Sequence, residues 1–284
     1  MQVGCSFTNL DAYGPWPRCG NPEKSRVQLP AWLLARYSAR MASKVRLSQP
    51  IPKAAIAFRA EYLDFRRGIH VGNLNDNARI TRILKLELEA RYGEPFVTER
   101  WGRGVYWQWI GYLPRSNRAA KPLSSRVSFG CSKYFLMVDR EEKLFKCGLQ
   151  VERGCVNAGR RSRDFELKAD WDWHRLFSSL KPRSAMDREL KRLVGREGFL
   201  VRGGAWDSPA SFSRANWPGP LKLRKALAAA PPNQWAAFQL YYPMREEEVR
   251  GSPGIDLVEA MLAIFEEVTP VMNLCMQIQL AEPE

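Results

Sequence analysis

Residues 129–152 read FGCSKYFLMVDREEKLFKCGLQVE, and this stretch predicts the centre of the fold. A nearly continuous apolar run leads to Val138, and from Leu144 apolar and polar residues alternate as they do along a half-buried strand. The charged residues between the two segments suit the loop of an antiparallel hairpin. One face of the second strand carries Phe145, Cys147, Leu149 and Val151, and the other carries Lys146, Gln150 and Glu152. We therefore expect an antiparallel hairpin with one buried face.

Strands and helices are predicted on both sides of this hairpin. Aromatic and β-branched residues predict strands over 105–112, 199–201 and 235–242. Alternation predicts another strand over 272–280, and a helix that starts at Thr269 and Pro270 is the alternative. Helical spacing of apolar residues predicts helices over 54–67, 80–92, 173–180, 185–194, 221–229 and 255–268. The fold class predicted is α+β, with a mainly antiparallel sheet and helices packed on one of its faces.

The first 52 residues differ in composition from the rest of the chain. They hold six prolines, an excess of basic residues and little periodicity, so we expect a basic, proline-rich N-terminal appendage that is poorly ordered. An alternative is that translation starts at Met41, which would make the first 40 residues an artefact of gene prediction. Residues 53–284 are predicted to form a single α+β domain.

Composition excludes several classes of protein. The 284 residues are 45% apolar, which is enough to bury a full core. No stretch approaches the roughly 18 uninterrupted apolar residues of a membrane-spanning helix. The N-terminus lacks the basic start and apolar run of a signal peptide. We therefore expect a soluble protein of the cytoplasm.

The six cysteines do not form a recognisable metal or redox motif. No two are spaced as C-x-x-C, which argues against a zinc ribbon or a thioredoxin-like site. Cys131, Cys147 and Cys155 lie close together in the chain, and His174 could complete a tetrahedral zinc site. Buried, reduced thiols are the simpler interpretation. We predict no cofactor.

Positive charge is the strongest global feature, and it is unevenly distributed. The chain has 44 Lys and Arg against 30 Asp and Glu, a net charge of +14. Residues 229–284 hold two of those cations and nine of those acids, so the C-terminal segment is acidic and the rest strongly basic. A basic surface of this size favours a polyanionic partner, with nucleic acid first. Neutralisation of the basic body by the acidic segment is the internal alternative.

An aromatic and basic cluster supplies the candidate binding residues. Aromatic rings stack on unpaired bases while guanidinium and ammonium groups neutralise phosphates. Burial of part of this cluster in the core is the alternative, because Trp107 and Trp109 share one face of the predicted strand. The helix over 80–92 also presents Arg79, Arg82 and Lys85, which we interpret as a solvated face. The predicted nucleic-acid-binding residues are Arg100, Trp101, Arg103, Tyr106, Arg115, Arg118 and Lys121.

A metal-dependent nuclease is the enzymatic alternative. Glu166 and Lys168 alternate along an extended segment, and Asp139 ends an apolar strand upstream, which resembles the spacing of two carboxylates and a lysine around Mg²⁺. Mg²⁺ is predicted only under this alternative. Asp170, Asp172 and His174 do not share a face of a helix, so we interpret them as capping residues instead of metal ligands.

A protein-interaction module is the third hypothesis. The predicted C-terminal helix carries Glu259, Glu266 and Glu267, which could dock on the basic body of a second copy and form a homo-oligomer. The leading hypothesis remains a nucleic-acid-binding protein without an evident catalytic motif.

Overall fold

The computed structural model describes residues 57–121, 130–153 and 171–281. The predicted appendage, residues 1–52, lies outside the described residues. None of the described helices is long and apolar enough to cross a membrane. The architecture below therefore belongs to the region predicted as one α+β domain.

Nine strands form one antiparallel sheet in the described part of the chain. The strands are β1 (Leu63–Asp64), β2 (Gly68–His70), β3 (Phe96–Arg103), β4 (Tyr106–Pro114), β5 (Lys133–Asp139), β6 (Leu144–Arg153), β7 (Leu200–Ala205), β8 (Ala210–Phe212) and β9 (Ala236–Arg245). Their order in the sheet is β1, β2, β4, β5, β6, β9, β7, β8, and β3 also pairs with β4. The predicted central hairpin is confirmed, since Lys133 of β5 lies opposite Gln150 of β6.

The helices pack on one face of this sheet, which confirms the predicted fold class. The main core lies between them and one set of alternate strand residues, for example Phe145, Leu149 and Leu240. The long helix α7 crosses the middle of the sheet, where the Cys147 thiol lies 3.8 Å from the carbonyl of Met261. The helices are α1 (Ile80–Tyr92), α2 (Arg115–Ala119), α3 (Asp172–Ser179), α4 (Ala185–Gly195), α5 (Pro220–Ala228), α6 (Glu246–Arg250) and α7 (Gly254–Cys275).

The predicted helix over 54–67 is wrong for its described part, residues 57–67. This part holds a short 3₁₀ helix, Ala60–Tyr62, followed by β1. The carboxylate of Asp64 accepts hydrogen bonds from the backbone N–H groups of Arg66 and Arg67, at 2.8 and 2.9 Å. This side chain closes a tight turn that returns the chain as β2, so local hydrogen bonding overrides the helical spacing of apolar residues.

The predicted strand over 272–280 is also wrong. Helix α7 continues through Pro270 to Cys275. Met272 and Cys275 are fully buried, so apolar burial on more than one side of the helix offsets the backbone donor that Pro270 lacks. The hydroxyl of Thr269 donates to the carbonyl of Phe265 at 2.7 Å just before the proline. The alternation of apolar residues over 272–280 therefore spans the last turn of α7 and the irregular segment after it, and does not mark a strand.

The second face of the central hairpin is buried too, in contrast to the prediction of one buried face. Lys133 and Lys146 are at most 1% exposed. Their ammonium groups bind Glu152 and Asp139, at 3.1 and 2.8 Å. Pairing of opposite charges offsets the cost of removing these groups from water, so a charged strand face is compatible with burial.

Candidate nucleic-acid interface

The hairpin of β3 and β4 divides the predicted aromatic and basic cluster between two faces of the sheet. Arg100 lies opposite Ile110, and Trp101 lies opposite Trp109. Because consecutive strand residues point to opposite faces, Arg100 lies on the face that packs against the helices and Trp101 on the other. Residues that are adjacent in the sequence therefore belong to two separate surfaces.

On the helix-packed face, Arg100 lies over the ring of Trp107. The guanidinium carbon is 4.4 Å from the ring centroid, a cation–π contact. Trp107 is half-buried against the main core, and its indole N–H donates to the carbonyl of Gly104 at 3.2 Å. Core packing and this hydrogen bond hold the ring, and the ring supports the exposed arginine above it.

Helix α1 faces this pair across a groove. Arg79, at the N-cap position of α1, is followed at intervals of three residues by Arg82 and Lys85, and this spacing places them along one side of the helix. Together with the strand residues they enclose a volume of about 440 Å³. The described lining residues are Asp76, Arg79, Thr81, Arg82, Lys85, Thr98, Arg100 and Trp107.

Cations outnumber acids in and beside this groove. Arg79 contacts Asp76 at 3.3 Å, and Lys85 contacts Glu89 at 3.7 Å. Arg82 is exposed and makes no ion pair with a described residue. No side chain caps the N-terminus of α1, and its first turn holds no acid. The positive end of the helix dipole therefore adds to the charge of the side chains.

The other face of the hairpin carries a separate aromatic stack. Tyr106 stacks on His70 with ring centroids 4.7 Å apart, and the guanidinium of Arg67 lies 4.3 Å from the Tyr106 ring. Trp101, with 44% of its surface exposed, and Arg103, which is also exposed, lie at the tip of the same hairpin. Tyr106, Trp101 and Arg103 are thus close to the groove residues in sequence but do not line the groove.

Arg115, Arg118 and Lys121 lie at the opposite end of β4. The nine residues of that strand span roughly 25 to 30 Å, so these cations are remote from the hairpin tip. The ammonium of Lys121 is buried and binds the carboxylate of Asp172 at 2.8 Å. It also donates to the side-chain oxygen of Asn117 at 2.7 Å. Lys121 therefore holds elements of the fold together and does not reach the groove.

Of the three predicted nuclease residues, only Asp139 lies in the described part of the chain. Glu166 and Lys168 lie outside the described residues. Asp139 is 5% exposed, binds Lys146 and accepts hydrogen bonds from the backbone N–H groups of Glu141 and Glu142. Within the described ranges, no group of three or more His, Cys, Asp and Glu side chains is arranged to hold a metal ion. The nuclease hypothesis stays a prediction.

The ion pair of Asp139 makes the free energy of unfolding depend on pH in the acid range. Burial acts to raise the pKa of Asp139, but the charge of Lys146 and the Glu142 N–H outweigh it, so the pKa lies below its ordinary value. A lowered folded-state pKa stabilises the protein above the unfolded-state value, and this contribution is lost as the pH falls through the folded-state value.

We therefore expect the free energy of unfolding to fall as the pH drops below about 4. Asp139→Asn and Lys146→Met are each expected to make that fall shallower, because each removes the ion pair that lowers the pKa. Urea unfolding at a series of acid pH values measures how steeply the free energy of unfolding falls in each protein. The same steepness in both variants and in the unaltered protein would contradict the assignment.

The acidic C-terminal helix pairs with basic helices of its own chain. Glu266 of α7 contacts Arg91 of α1 at 3.6 Å, and Glu267 contacts Arg192 of α4 at 2.5 Å. Most of the apolar residues of α7 are buried in the core. These contacts support the internal alternative, in which α7 neutralises part of the basic body, and homo-oligomer formation through its acids stays a prediction.

The described cysteines are buried thiols. Cys131, Cys147 and Cys275 are free and at most 1% exposed. Burial raises the pKa of Cys131 to about 11, so it is a protonated thiol at neutral pH. Cys155 lies outside the described residues. The described cysteines thus agree with the simpler interpretation of reduced, packed side chains.

Sequence reasoning missed the composition of the groove and recognised only one of its cations, Arg100, as a binding residue. Arg79, Arg82 and Lys85 were interpreted as a solvated face, and Trp107 was weighed as a core residue. The signal that could have found them is the spacing of three residues, which aligns the cations of α1 on one side. Their position opposite Arg100 depends on how α1 packs on β3, which no local pattern predicts.

Comparison with known proteins leaves the function to be argued from this geometry. No family model, curated protein or solved structure matches the chain.

Proposed function

We propose that this protein binds nucleic acid through the groove between α1 and the β3–β4 hairpin. The observation that carries the proposal is the convergence of four cations on one groove from two neighbouring elements, α1 and β3: Arg79, Arg82, Lys85 and Arg100. Phosphate groups repeat along a nucleic acid, and a row of cations in a groove neutralises several of them at once.

The physical setting of these cations supports phosphate binding. Arg82 is exposed, and the Arg100 side chain is supported by an aromatic ring, so both keep a charged group available to a ligand. Thr81 and Thr98 add hydroxyl groups to the lining, which can donate to phosphate oxygens. Helix α1 and strands β3 and β4 are regular elements, so the cations are positioned before the ligand arrives.

The net charge of +14 strengthens the proposal in a second way. A positive protein attracts a polyanion over distances of about a Debye length, which raises the rate of encounter at low salt. The acids of α7 pair with Arg91 and Arg192, which do not line the groove. They therefore do not neutralise the four groove cations.

Binding of labelled DNA and RNA oligonucleotides across a salt series tests the proposal. We expect binding at about 50 mM salt and a linear fall of log K with log salt concentration. Arg82→Ala is expected to weaken binding and to reduce the slope by about 0.7 to 0.9, because one phosphate contact is lost. Fluorescence anisotropy measures both quantities.

Arg224→Ala is the matched control. Arg224 is exposed on α5, which packs on β7, several strands away from β4 in the sheet order. The substitution removes the same charge and is expected to leave the slope unchanged. Equal effects of the two substitutions, or no binding at low salt, would refute the groove as the binding site.

A further inference from the structure

We infer that the groove takes single-stranded nucleic acid, DNA or RNA, with an unpaired base stacked on Arg100. This inference rests on the proposed function and assigns the class of ligand to the same site. It combines three observations: the position of Arg100 over Trp107, the concave shape of the groove, and the row of cations on its opposite wall.

The aromatic support of Arg100 makes a stacking platform. A guanidinium group is planar, and nucleic-acid bases stack on arginine planes as they do on aromatic rings. The Trp107 ring lies beneath the guanidinium at 4.4 Å and is itself packed against the core. A base above Arg100 would extend this stack by one layer, with little loss of side-chain freedom because the layers below are already ordered.

The position of this platform selects an unpaired base. Trp107 is half-buried and lines the groove, so the stack of Trp107 and Arg100 rises from its wall. In a duplex the faces of the bases are covered by neighbouring base pairs, and only base edges and phosphates are offered to a protein. A single strand can turn a base into a groove of about 440 Å³, whereas a duplex presents its backbone to the rim.

The opposite wall fits the backbone of the same strand. Arg82 and Lys85 are three residues apart on α1, which is about 4.5 Å along the helix axis. Arg79 extends the row by the same number of residues. Cations at this spacing can contact consecutive phosphates while the base between them reaches across to Arg100. The groove thus combines the charged track and the stacking surface that are typical of single-strand binding sites.

An arginine-to-lysine substitution separates stacking from charge. Arg100→Lys keeps the positive charge but removes the planar group, and Arg224→Lys, at an exposed position of α5 outside the groove, is the matched control. The ligands are a labelled single-stranded DNA of mixed sequence, the RNA of the same sequence, and the corresponding duplex DNA. Circular dichroism of each variant verifies the fold, and both substituted positions are exposed.

We expect the unaltered protein to bind at least one single strand about tenfold more tightly than the duplex at the same salt concentration. Arg100→Lys is expected to weaken single-strand binding about fivefold or more, the effect of losing one stacked base, without changing the salt slope. Arg224→Lys is expected to change single-strand binding less than twofold. The DNA and RNA arms show which strand the groove prefers.

The outcomes distinguish the two proposals. Equal affinity for duplex and single strands, or single-strand binding that is indifferent to Arg100→Lys, overturns this inference and leaves nucleic-acid binding in place if Arg82→Ala still reduces the salt slope. If no oligonucleotide binds in a way that depends on the groove, both proposals fail. Tighter single-strand binding that weakens only with Arg100→Lys supports both.

Discussion

Asp172→Ala is expected to lower the free energy of unfolding by about 3 to 5 kcal/mol, because it leaves a buried ammonium group without its counter-ion. Asp172 is fully buried at the start of α3. Its carboxylate binds Lys121 at 2.8 Å and accepts hydrogen bonds from the Asn117 side chain and the Ser132 backbone, at 2.8 and 2.5 Å. It also accepts from the backbone N–H of Gln277 at 3.3 Å.

These contacts connect four parts of the fold that are distant in sequence. One carboxylate joins α2, the segment that leads into β5, the first turn of α3 and the chain after α7. Removal of the carboxylate therefore leaves several buried donors unsatisfied as well as the charge of Lys121. This is the reason to expect a loss much larger than that of a surface ion pair.

Urea unfolding of three variants measures the effect. Lys121→Met removes the cation, and the double variant with Asp172→Ala shows how strongly the two groups are coupled, since the combined loss should be smaller than the sum. Glu246→Ala is the control at the partly exposed pair of Glu246 and Arg250, where about 1 kcal/mol or less is expected. A loss from Asp172→Ala no greater than that of the control would contradict the structural role of Asp172.

Lys133→Met is expected to destabilise the protein by a similar amount, about 3 to 5 kcal/mol. The Lys133 ammonium is buried on β5 between the carboxylates of Glu99 and Glu152, at 3.0 and 3.1 Å, and lies 5.5 Å from the centroid of the Trp109 ring. Both carboxylates act to raise the pKa of Lys133 and outweigh the opposing effect of burial, so the lysine is charged. Its removal leaves two acids near each other with no cation between them.

A compensating variant makes this prediction specific. Lys133→Met combined with Glu152→Gln removes the excess negative charge, so part of the lost stability should return. Lys222→Met, at an exposed position of α5, controls for the loss of a lysine and should change stability by less than about 0.5 kcal/mol. If the compensating variant were as unstable as Lys133→Met alone, the loss would come from packing and not from the unpaired acids. Thermal or urea unfolding provides the comparison.

Much of the secondary structure could be predicted from local patterns. Helix α1 is confirmed, and Gly93 closes it at a φ of 60°, because glycine adopts the left-handed conformation without strain. Helix α4 is confirmed, and at its N-terminus the Ser184 hydroxyl accepts from the backbone N–H of Asp187 at 3.2 Å. These features depend on residues close in sequence, so their physical causes are visible there.

The errors have more than one cause. The turn at Asp64 is local, because hydrogen bonds from the backbone of Arg66 and Arg67 override the helical spacing of apolar residues, but the passage of α7 through Pro270 depends on burial against the rest of the structure. The charged face of β6 was expected to meet solvent because Lys146 and Glu152 are charged. Their partners lie on other strands or across a loop, and pairing is what makes burial possible.

The candidate site shows the same division between local pattern and packing. Arg100 could be singled out from the sequence, since aromatic and basic residues cluster around it. The separation of Trp101 from Arg100 onto opposite faces follows from strand alternation, but the burial of Lys121 and the row formed by Arg79, Arg82 and Lys85 opposite Arg100 do not.

The sequence by itself determined the positive charge of this protein, the α+β class and the central hairpin. Charge is a sum over residues, and periodicity is a property of neighbours, so both can be read without coordinates. Only the tertiary structure decided which charges remain available to a ligand. The ammonium groups of Lys121, Lys133 and Lys146 form buried ion pairs, whereas Arg82 and Arg100 line a groove. Packing brings distant residues together, and this sets both the partner of each charge and its access to solvent.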